Sequence, residues 1–272
     1  MTSTTPAELL DLARETALTA GALILKRRQE GVEVAASKTA PEDIVTFADR
    51  ESEELIRSLL AKARPNDGFF GEESAATGGS SGLTWVVDPI DGTVNYLYGI
   101  PAYAVSIAVV EGEPDPTTWS ALAGAVFNPA ADELYTASAG AGAYLGSRRL
   151  TVSTGKTLSL ALVGTGFSYD SARRTKQADA VSHLISRVRD IRRIGSAALD
   201  LCDVASGRLD AYYEKGLKPW DHAAGALVAS EAGARVAGLH GVPASRALTI
   251  AAEPGLFDQL EPVLDELGVV DR

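Results

Sequence analysis

The chain has 272 residues, of which 46 % are hydrophobic and 22 % are charged, the proportions of an ordinary soluble globular protein. Lys and Arg number 25 and Asp and Glu 36, so the net charge of -11 argues against a nucleic acid as partner. The length favours one large domain or two tightly joined lobes.

The cellular setting is predicted from what the sequence lacks. Cys202 is the only cysteine, so no intrachain disulfide can form, which is typical of a reducing compartment. Residues 1–8 do not read as a secretory signal, and no apolar run is long enough to span a bilayer. We therefore expect a cytoplasmic protein without a membrane partner.

Helix and strand signals alternate along the first half of the chain. Thr5, Pro6 and Glu8 are typical of a helix start with a capping box, and apolar residues at helical spacing extend this helix to about Arg28. The same patterns predict a strand over 32–35, a helix over 46–63 and strands over 68–71, 104–111, 120–127 and 133–137. The last three strands have the spacing of an antiparallel sheet.

The second half has a different pattern, in which short strands alternate with helices. Its predicted elements are strands over 160–164, 190–194, 209–214 and 248–251, and helices over 175–188, from 196, from about 220 and up to 267. We therefore predict an α/β fold with two lobes, an α+β lobe over residues 1–146 and an α/β lobe over residues 147–272.

The most informative segment is residues 84–96, which read TWVVDPIDGTVNY. Pro89 cannot donate to a sheet ladder, so the strand before it is predicted to end at Asp88. Gly92 lets a backbone approach a ligand closely, and the Thr93 hydroxyl can cap a helix. Asp88 and Asp91 beside free backbone N–H groups suit a hard cation that holds a phosphate.

Acidic residues from other parts of the sequence could lie close to this turn in the folded protein. They are Glu72 with Glu73, Asp43 with Asp49, Glu214, and Asp221. Glu72 follows a predicted strand, so it could lie at a strand end next to Asp88. Asp221 opens a helix, where capping alone is an equally good explanation. Glu214 ends a strand, and on local grounds it could also be a plain surface acid.

Taken together, these segments resemble the inositol monophosphatase family. The resemblance is carried by Gly71-Glu72-Glu73-Ser74, Trp85-Val86-Val87-Asp88-Pro89-Ile90-Asp91-Gly92-Thr93, and Trp220-Asp221-His222-Ala223-Ala224-Gly225, in the order and spacing of the family. It runs from about Ala7 to Leu260. It implies a layered αβαβα sandwich like that of sugar phosphatases.

The resemblance also implies roles for individual residues. By similarity, two or three Mg²⁺ ions are held by Glu72, Asp88, Asp91, Asp221 and the carbonyl of Ile90. The amides of Gly92 and Thr93 would bind the phosphate, and Thr93 and Asp49, with Glu72, would activate the water. Glu73 would lie in the outer metal shell, and Lys38 and Asp43 would belong to a mobile loop. Substrate contacts are implied at Gly195, Ser196, Ala197 and Glu214. The first lobe would thus carry most metal ligands, and the second Asp221 and the substrate contacts.

The predicted function is Mg²⁺-dependent hydrolysis of a phosphate monoester, with inositol-1-phosphate as the first candidate substrate. Two metal ions can offset the charge on the reacting phosphate oxygens. Fructose-1,6-bisphosphatase and histidinol-phosphatase activities on a phosphorylated sugar or polyol stay open, as does a non-catalytic binding protein. Two departures from the family leave the substrate undecided. Pro219 stands where a cysteine is common, and residues 166–168 align poorly with the family. The resemblance further implies lithium sensitivity and a homodimer.

Overall fold

The structure is a computed structural model, and it describes residues 5–37 and 44–270. Its helices are α1 (Pro6–Glu30), α2 (Phe47–Ala63), α3 (Thr93–Tyr98), α4 (Ser171–Leu184), α5 (Ala197–Ser206), α6 (Pro219–Glu231) and α7 (Pro254–Glu266). Its strands are β1 (Val34–Ser37), β2 (Ile44–Thr46), β3 (Gly68–Gly71), β4 (Leu83–Asp91), β5 (Ala104–Glu111), β6 (Ser120–Asn128), β7 (Glu133–Ser138), β8 (Gly142–Leu145), β9 (Arg148–Arg149), β10 (Leu162–Thr165), β11 (Asp190–Arg192), β12 (Ala211–Glu214), β13 (Arg235–Ala237) and β14 (Thr249–Ala252).

These elements stack in five layers. Helices α1 and α2 cover one face of the sheet β3–β9, and α5 and α6 cover its other face. The same two helices pack against the sheet β10–β14, whose far side is covered by α4 and α7. The central core joins both sheets, for example through Val86, Leu201, Val228 and Ala251. The αβαβα sandwich that the resemblance implied is confirmed.

The larger sheet brings two acidic segments side by side. Its strand order is β3-β4-β5-β6-β7-β8-β9, with β3 parallel to β4 and the other neighbours antiparallel. Gly71 pairs with Val87, so the residues that follow them, Glu72 and Asp88, lie side by side where β3 ends. The expectation that Glu72 lies next to Asp88 is confirmed, although only Glu72 stands at a strand end.

The predicted end of β4 is wrong. The strand does not stop at Asp88 but continues to Asp91, which pairs with Ala104 after an irregularity in the register. Pro89 lies in this bulge, where the ladder does not need its missing N–H. The bulge brings Asp91 back into the sheet instead of leaving it in a loop.

The smaller sheet has the order β11-β10-β12-β14-β13, in which β10 is parallel to both of its neighbours. Thr165 pairs with Tyr213, so Gly166 and Glu214 follow at one edge of the sheet. This edge faces the acidic end of β4 across one cleft. The two sheets therefore supply opposite walls of a common site.

The predicted helix boundaries agree best with the structure where they were based on capping residues. The capping box of Thr5 and Glu8 at the start of α1 is confirmed. Helix α4 begins four residues before the predicted start, because Asp170 caps it by accepting from the Arg173 N–H. Within the described ranges, no helix combines the length and the apolarity needed to cross a membrane.

Candidate active site

A cleft of about 580 Å³ lies where the ends of β4, β10 and β12 meet the starts of α5 and α6. It collects most of the residues predicted for the site: Glu72, Asp88, Ile90, Asp91, Gly92, Thr93, Gly195, Ser196, Ala197, Glu214 and Asp221. Asp49 and Glu73 lie behind this lining. Lys38 and Asp43 lie outside the described residues.

Asp91 joins the two walls of the cleft. One of its carboxylate oxygens accepts from the Ser196 hydroxyl at 2.6 Å and from the Ala198 N–H at 2.7 Å, at the start of α5. Burial, and to a lesser extent the charge of Glu72, raises the pKa of Asp91 to about 6 against the lowering effect of these hydrogen bonds.

Asp88 and Asp221 are oriented by the backbone beside them. Asp88 is 2 % exposed and accepts from the Ile90 N–H at 3.0 Å. Asp221 accepts from the Lys218 N–H at 2.7 Å in the first turn of α6. Burial and then the charges of Glu72 and Asp91 raise the pKa of Asp221 well above its ordinary value. The capping role that the sequence allowed for Asp221 is therefore present, and its carboxylate also faces the cleft.

We call Glu72, Asp88, Asp91 and Asp221 the acidic cluster. These side chains fit a hard cation, because they are carboxylates, and because burial, followed by the charge of Glu72, raises the pKa values of Asp91 and Asp221 in the absence of positive charge. The carbonyl of Ile90, in the same bulge, points to the Thr93 hydroxyl at 3.1 Å. As they stand in the described residues, no three acidic, histidine or cysteine side chains converge on one metal position. The ligand set therefore stays a prediction.

Asp49 and Thr93 form a hydrogen-bonded pair behind the acidic cluster. The Thr93 hydroxyl lies 3.2 Å from one oxygen of Asp49, whose other oxygen accepts from the Thr46 N–H at 2.7 Å. Burial raises the pKa of Asp49 to about 7, despite the opposing hydrogen bonds from Thr46. The predicted helix cap at Thr93 is wrong: Gly92 occupies that position, and the Thr93 hydroxyl points to Asp49 and Ile90 instead.

Helix α2 holds the turn that carries Glu72 and Glu73. Glu53, only 2 % exposed, accepts from the Glu73 N–H at 2.7 Å and from the Ser74 hydroxyl. Arg57, one helical turn further on, donates to the Ala75 carbonyl at 2.9 Å. Sequence reasoning missed Glu53, although its spacing of four residues from Asp49 places both acids on one helical face.

The opposite wall is built around Glu214. Its carboxylate accepts from the Tyr212 hydroxyl at 2.6 Å, and burial raises its pKa to about 7. A Cβ at Gly166 would overlap the Glu214 carboxylate, so glycine at this position lets that carboxylate lie where it does. Gly195, Ser196 and Ala197 line the cleft between Glu214 and the acidic cluster.

Two kinds of cleft residue escaped the sequence analysis. Asp200 lies in the apolar run of α5, where it is 1 % exposed and one of its carboxylate oxygens has no hydrogen-bond partner among the described residues. An acid inside an apolar helical run was the available signal. The second kind is a set of basic residues on the outer wall, which come from distant parts of the chain: Arg173, Arg193, Lys215, Lys218 and Arg246.

The family of this chain follows from comparison with known proteins. Residues 5–266 match the inositol monophosphatase family, which covers nearly the whole chain and all of the described cleft. The chain belongs to the inositol monophosphatase family. It is accordingly a phosphatase that hydrolyses phosphoric monoesters, in a family that is generally metal-dependent.

Individual relatives support this assignment. The chain is 46 % identical to inositol-1-monophosphatase SuhB of Mycobacterium tuberculosis (strain ATCC 25618 / H37Rv) over 97 % of this chain and 95 % of that protein. The structure of Mycobacterium tuberculosis SuhB matches with a TM-score of 0.82 over 98 % of this chain and 100 % of that one, at 45 % identity. SaIMPase-II with bound inositol monophosphate matches with a TM-score of 0.75 at 28 % identity, over 95 % of this chain and 96 % of that one.

One similar protein carries a different kind of name. The Nus factor SuhB of Xylella fastidiosa (strain Temecula1 / ATCC 700964) is 45 % identical over 75 % of this chain and 72 % of that protein. Relatives that are about equally similar to this chain therefore carry two kinds of name, inositol-1-monophosphatase and Nus factor.

Proposed function

We propose that this phosphatase hydrolyses inositol-1-phosphate to inositol and phosphate in a Mg²⁺-dependent reaction. The observation that carries the proposal is the hydrogen bond between Thr93 and Asp49 beside the acidic cluster. A protein that only binds a phosphorylated ligand needs no such pair. The inositol monophosphate bound to SaIMPase-II supports the choice of substrate.

The metal would be held by the acidic cluster and the carbonyl of Ile90. When bound there, Mg²⁺ supplies positive charge that offsets the charge developing on the phosphate and leaving oxygens, and it acidifies water. Asp91 is preorganised for this role, because Ser196 and the Ala198 N–H hold one of its oxygens and leave the other available. Asp221 reaches the site from the other side, through the first turn of α6.

Asp49 and Thr93 position and deprotonate the attacking water. With its proton donated to Asp49, the Thr93 hydroxyl presents lone pairs that accept a hydrogen bond from water. A pKa of about 7 for Asp49 lies close to the working pH, which suits a general base. The carboxylate is kept in place by Thr46, whose N–H and hydroxyl both donate to it.

The phosphate would lie against the backbone of Gly92 and Thr93. Gly92 has a φ of 96°, and a Cβ there would stand 2.9 Å from the Ala102 carbonyl oxygen, so the position demands glycine. Glu214 and the segment 195–197 are placed to contact the hydroxyl groups of the polyol. Glu73 supports the metal site indirectly, through the turn that Glu53 fixes.

Three related activities are distinguished by one experiment. Phosphate release is measured from inositol-1-phosphate, fructose-1,6-bisphosphate and histidinol phosphate, each with Mg²⁺ and with EDTA. We expect Mg²⁺-dependent release that is fastest from inositol-1-phosphate. Faster release from either other substrate would reassign the substrate, and no release from any would favour the binding role suggested by the name of the Xylella relative.

Three further properties stay predictions. Uncompetitive inhibition by Li⁺ at saturating Mg²⁺ tests for a second, weaker metal position, and activity that is insensitive to Li⁺ would count against it. A homodimer is tested by light scattering at micromolar concentration, where a monomer mass would reject it. A cytoplasmic location is tested by fractionation of the cells that produce the protein.

A further inference from the structure

Asn95 carries a buried amide on α3, the short helix that starts with Thr93. Its side chain is 5 % exposed and does not line the cleft, and the proposed mechanism gives it no role. A buried amide nitrogen has two hydrogens to donate and is costly in free energy when they find no acceptor. The partners of Asn95 therefore indicate what it holds in place.

The Asn95 side chain connects two segments that lie far apart in the sequence. Its Nδ2 atom donates to the Ala102 carbonyl at 2.7 Å and to the Ile194 carbonyl at 2.8 Å. Ala102 precedes β5 of the larger sheet, and Ile194 follows β11 of the smaller sheet. Because both hydrogens of the amide nitrogen are used, Asn95 fastens one segment from beside each sheet to α3.

The backbone around this amide is closely packed. Gly195 has a φ of 98°, and a Cβ there would lie 2.9 Å from the Asn95 Nδ2 atom. A Cβ at Gly92 would lie 2.9 Å from the Ala102 carbonyl oxygen and 3.1 Å from that of Gly195. The Gly92 turn thus lies between the two segments that Asn95 connects. A change in the separation of these segments would act directly on that turn.

The segment from the smaller sheet carries groups of the proposed site. Residues 195–197 line the cleft and are proposed to contact the polyol. The Ser196 hydroxyl and the Ala198 N–H also donate to Asp91, a proposed metal ligand. That contact involves a charged group whose charge would be shared with a metal ion. The contacts of Asn95 join neutral groups, so they hold the same segment with and without metal.

We propose that Asn95 is a positioning residue that fixes residues 195–197 relative to Thr93 and thereby adds to the selectivity for a hydroxyl-bearing phosphate monoester. The inference rests on the proposed function, because it concerns the same site. On α3, Thr93 contacts Asp49 and Asn95 contacts the carbonyl that precedes residues 195–197. The helix therefore sets the distance between the reacting phosphate and the groups that contact the polyol, on which a productive geometry depends.

The test compares two monoesters, inositol-1-phosphate, which has ring hydroxyls, and 4-nitrophenyl phosphate, which has none. In N95A the ratio of their kcat/KM values should fall by about tenfold, the scale of one or two lost hydrogen bonds, mainly through a higher KM for inositol-1-phosphate. Both esters are assayed with the same preparation, so a loss of folded protein cancels from the ratio. A ratio equal to that of the parent overturns the proposal.

N128A is the matched control. Asn128 is also 5 % exposed, and its amide donates to the Pro101 carbonyl at 3.1 Å, next to a residue that Asn95 holds. Its side-chain oxygen accepts from two N–H groups of the turn after β6. N128A thus removes a buried amide of the same size but leaves the contact with Ile194 intact, and its substrate ratio should equal that of the parent. A fall as large as that in N95A would overturn the proposal.

N95D serves as a second variant in case N95A does not fold. Aspartate keeps the volume of the side chain but has at most one hydrogen to donate, so at least one of the two carbonyls loses its partner. Its substrate ratio should fall as well, and a parental ratio would overturn the proposal. If the substrate panel reassigns the substrate, the ester that is hydrolysed fastest replaces inositol-1-phosphate in the ratio.

Hydrogen exchange in EDTA separates this proposal from the proposed function, because it requires no turnover. The N–H groups of residues 198–200 donate to Asp91 or Ser196, and they should exchange about fivefold faster or more in N95A than in the parent and N128A. Equal exchange in all three proteins overturns the proposal. If the parent hydrolyses neither ester but the difference in exchange persists, the proposed hydrolysis fails and the positioning role of Asn95 stands.

Discussion

The side of the cleft that carries the acidic cluster (the acidic wall) and the basic residues of the cleft (the basic rim: Arg173, Arg193, Lys215, Lys218 and Arg246) are held in different ways. The carboxylates of Asp88 and Asp91 are buried, and backbone N–H groups of neighbouring strands and helices fix them. The basic rim is exposed or half-buried, and Arg173 and Arg246 have no carboxylate partner among the described residues. The buried carboxylates are therefore held by hydrogen bonds, whereas no ion pair to a described residue fixes the Arg173 and Arg246 guanidinium groups.

This difference has an energetic reason. Buried carboxylates are expensive in free energy unless they are hydrogen-bonded or paired with a cation, so the acidic wall depends on exact positions and on metal. Arg193 and Arg246 are exposed and keep their hydration, so their placement costs little free energy. The comparison shows that the acidic wall is the more strongly constrained of the two.

The largest expected effect is a pH-dependent loss of stability without metal. The pKa values of Asp49 and Glu214 are both raised to about 7, so their protonated forms stabilise the fold below about pH 4 and that contribution disappears as the pH rises through 7. Asp49 alone accounts for a loss on the order of 4 kcal/mol in the free energy of unfolding. Urea unfolding in EDTA should show lower stability at pH 8 than at pH 5.

Two controls assign this pH effect. In D49N the difference between pH 5 and pH 8 should shrink, because one titrating carboxyl is gone. Saturating Mg²⁺ should also reduce it in the parent, because a cation bound in the cleft favours the deprotonated form of nearby carboxyl groups such as Asp49. Stability that is equal or greater at pH 8 in EDTA would contradict the raised pKa values of Asp49 and Glu214.

The next effect concerns Asp91→Asn. The change is nearly isosteric, and we expect turnover to fall by on the order of a hundredfold or more, because an electrostatic catalytic group is lost. Without metal the variant should be as stable as the parent or more stable, because repulsion with Glu72 and Asp221 is relieved. The increase in melting temperature caused by Mg²⁺ should be smaller than in the parent, as scanning calorimetry would measure.

D179N provides the comparison for this variant. Asp179 is an exposed acid of α4 outside the cleft, so turnover and the Mg²⁺-induced shift should both stay at parental values. If D91N also retained near-parental turnover and the parental shift, Asp91 would not be a metal ligand, and the proposed metal chemistry would fail with it.

Thr93→Val separates water activation from metal binding. Valine keeps the shape but removes the hydroxyl that contacts Asp49, so kcat should fall by roughly thirtyfold, below the usual range for a lost general base because Asp49 remains. The Mg²⁺-induced shift in melting temperature should be parental, unlike in D91N. The control is T19V, which removes an exposed hydroxyl of α1 and should leave kcat and the Mg²⁺-induced shift unchanged. A reduced Mg²⁺-induced shift in T93V would show that Thr93 acts through the metal.

The sequence predicts the acidic wall better than the rim, for a physical reason. Asp88 and Asp91 are close in the chain, and the pairing of β3 with β4 follows from two short strands with acids at their ends. Capping residues such as Thr5 and Asp221 also act within one helical turn. Local patterns are sufficient for features of this kind.

Other features depend on contacts between distant segments. Arg173, Lys215 and Arg246 come together only because α4 packs on the smaller sheet, and no local pattern marks their meeting. The bulge at Pro89 was missed because the rule against proline in a ladder ignores irregular pairing. Glu53 looks like a surface acid within the run Glu51–Glu54, and only its contact with the turn at Glu73 explains its burial.

Glu53→Gln tests how much the rigidity of the acidic wall matters, and its expected effect is the smallest. Glutamine keeps an oxygen for the Glu73 N–H and can only donate to the Ser74 hydroxyl, so two hydrogen bonds to a carboxylate become weaker bonds to an amide, at a cost of about 1–2 kcal/mol in folding. The turn that carries Glu72 should loosen, so the Mg²⁺ concentration for half-maximal activity should rise about fivefold while kcat at saturating Mg²⁺ changes less than twofold.

E54Q gives the matched comparison, because Glu54 is the next residue on α2 and its side chain is exposed. It should behave like the parent in Mg²⁺ dependence and in stability. Ser74→Ala should reproduce part of the E53Q effect, and combining S74A with E53Q should add less than the sum of the two, because both changes weaken or remove one shared contact. Strict additivity, or a Mg²⁺ dependence in E53Q equal to that of E54Q, would mean that the turn holds Glu72 without help from α2. In that case the acidic wall would owe its rigidity to β3 and β4 alone.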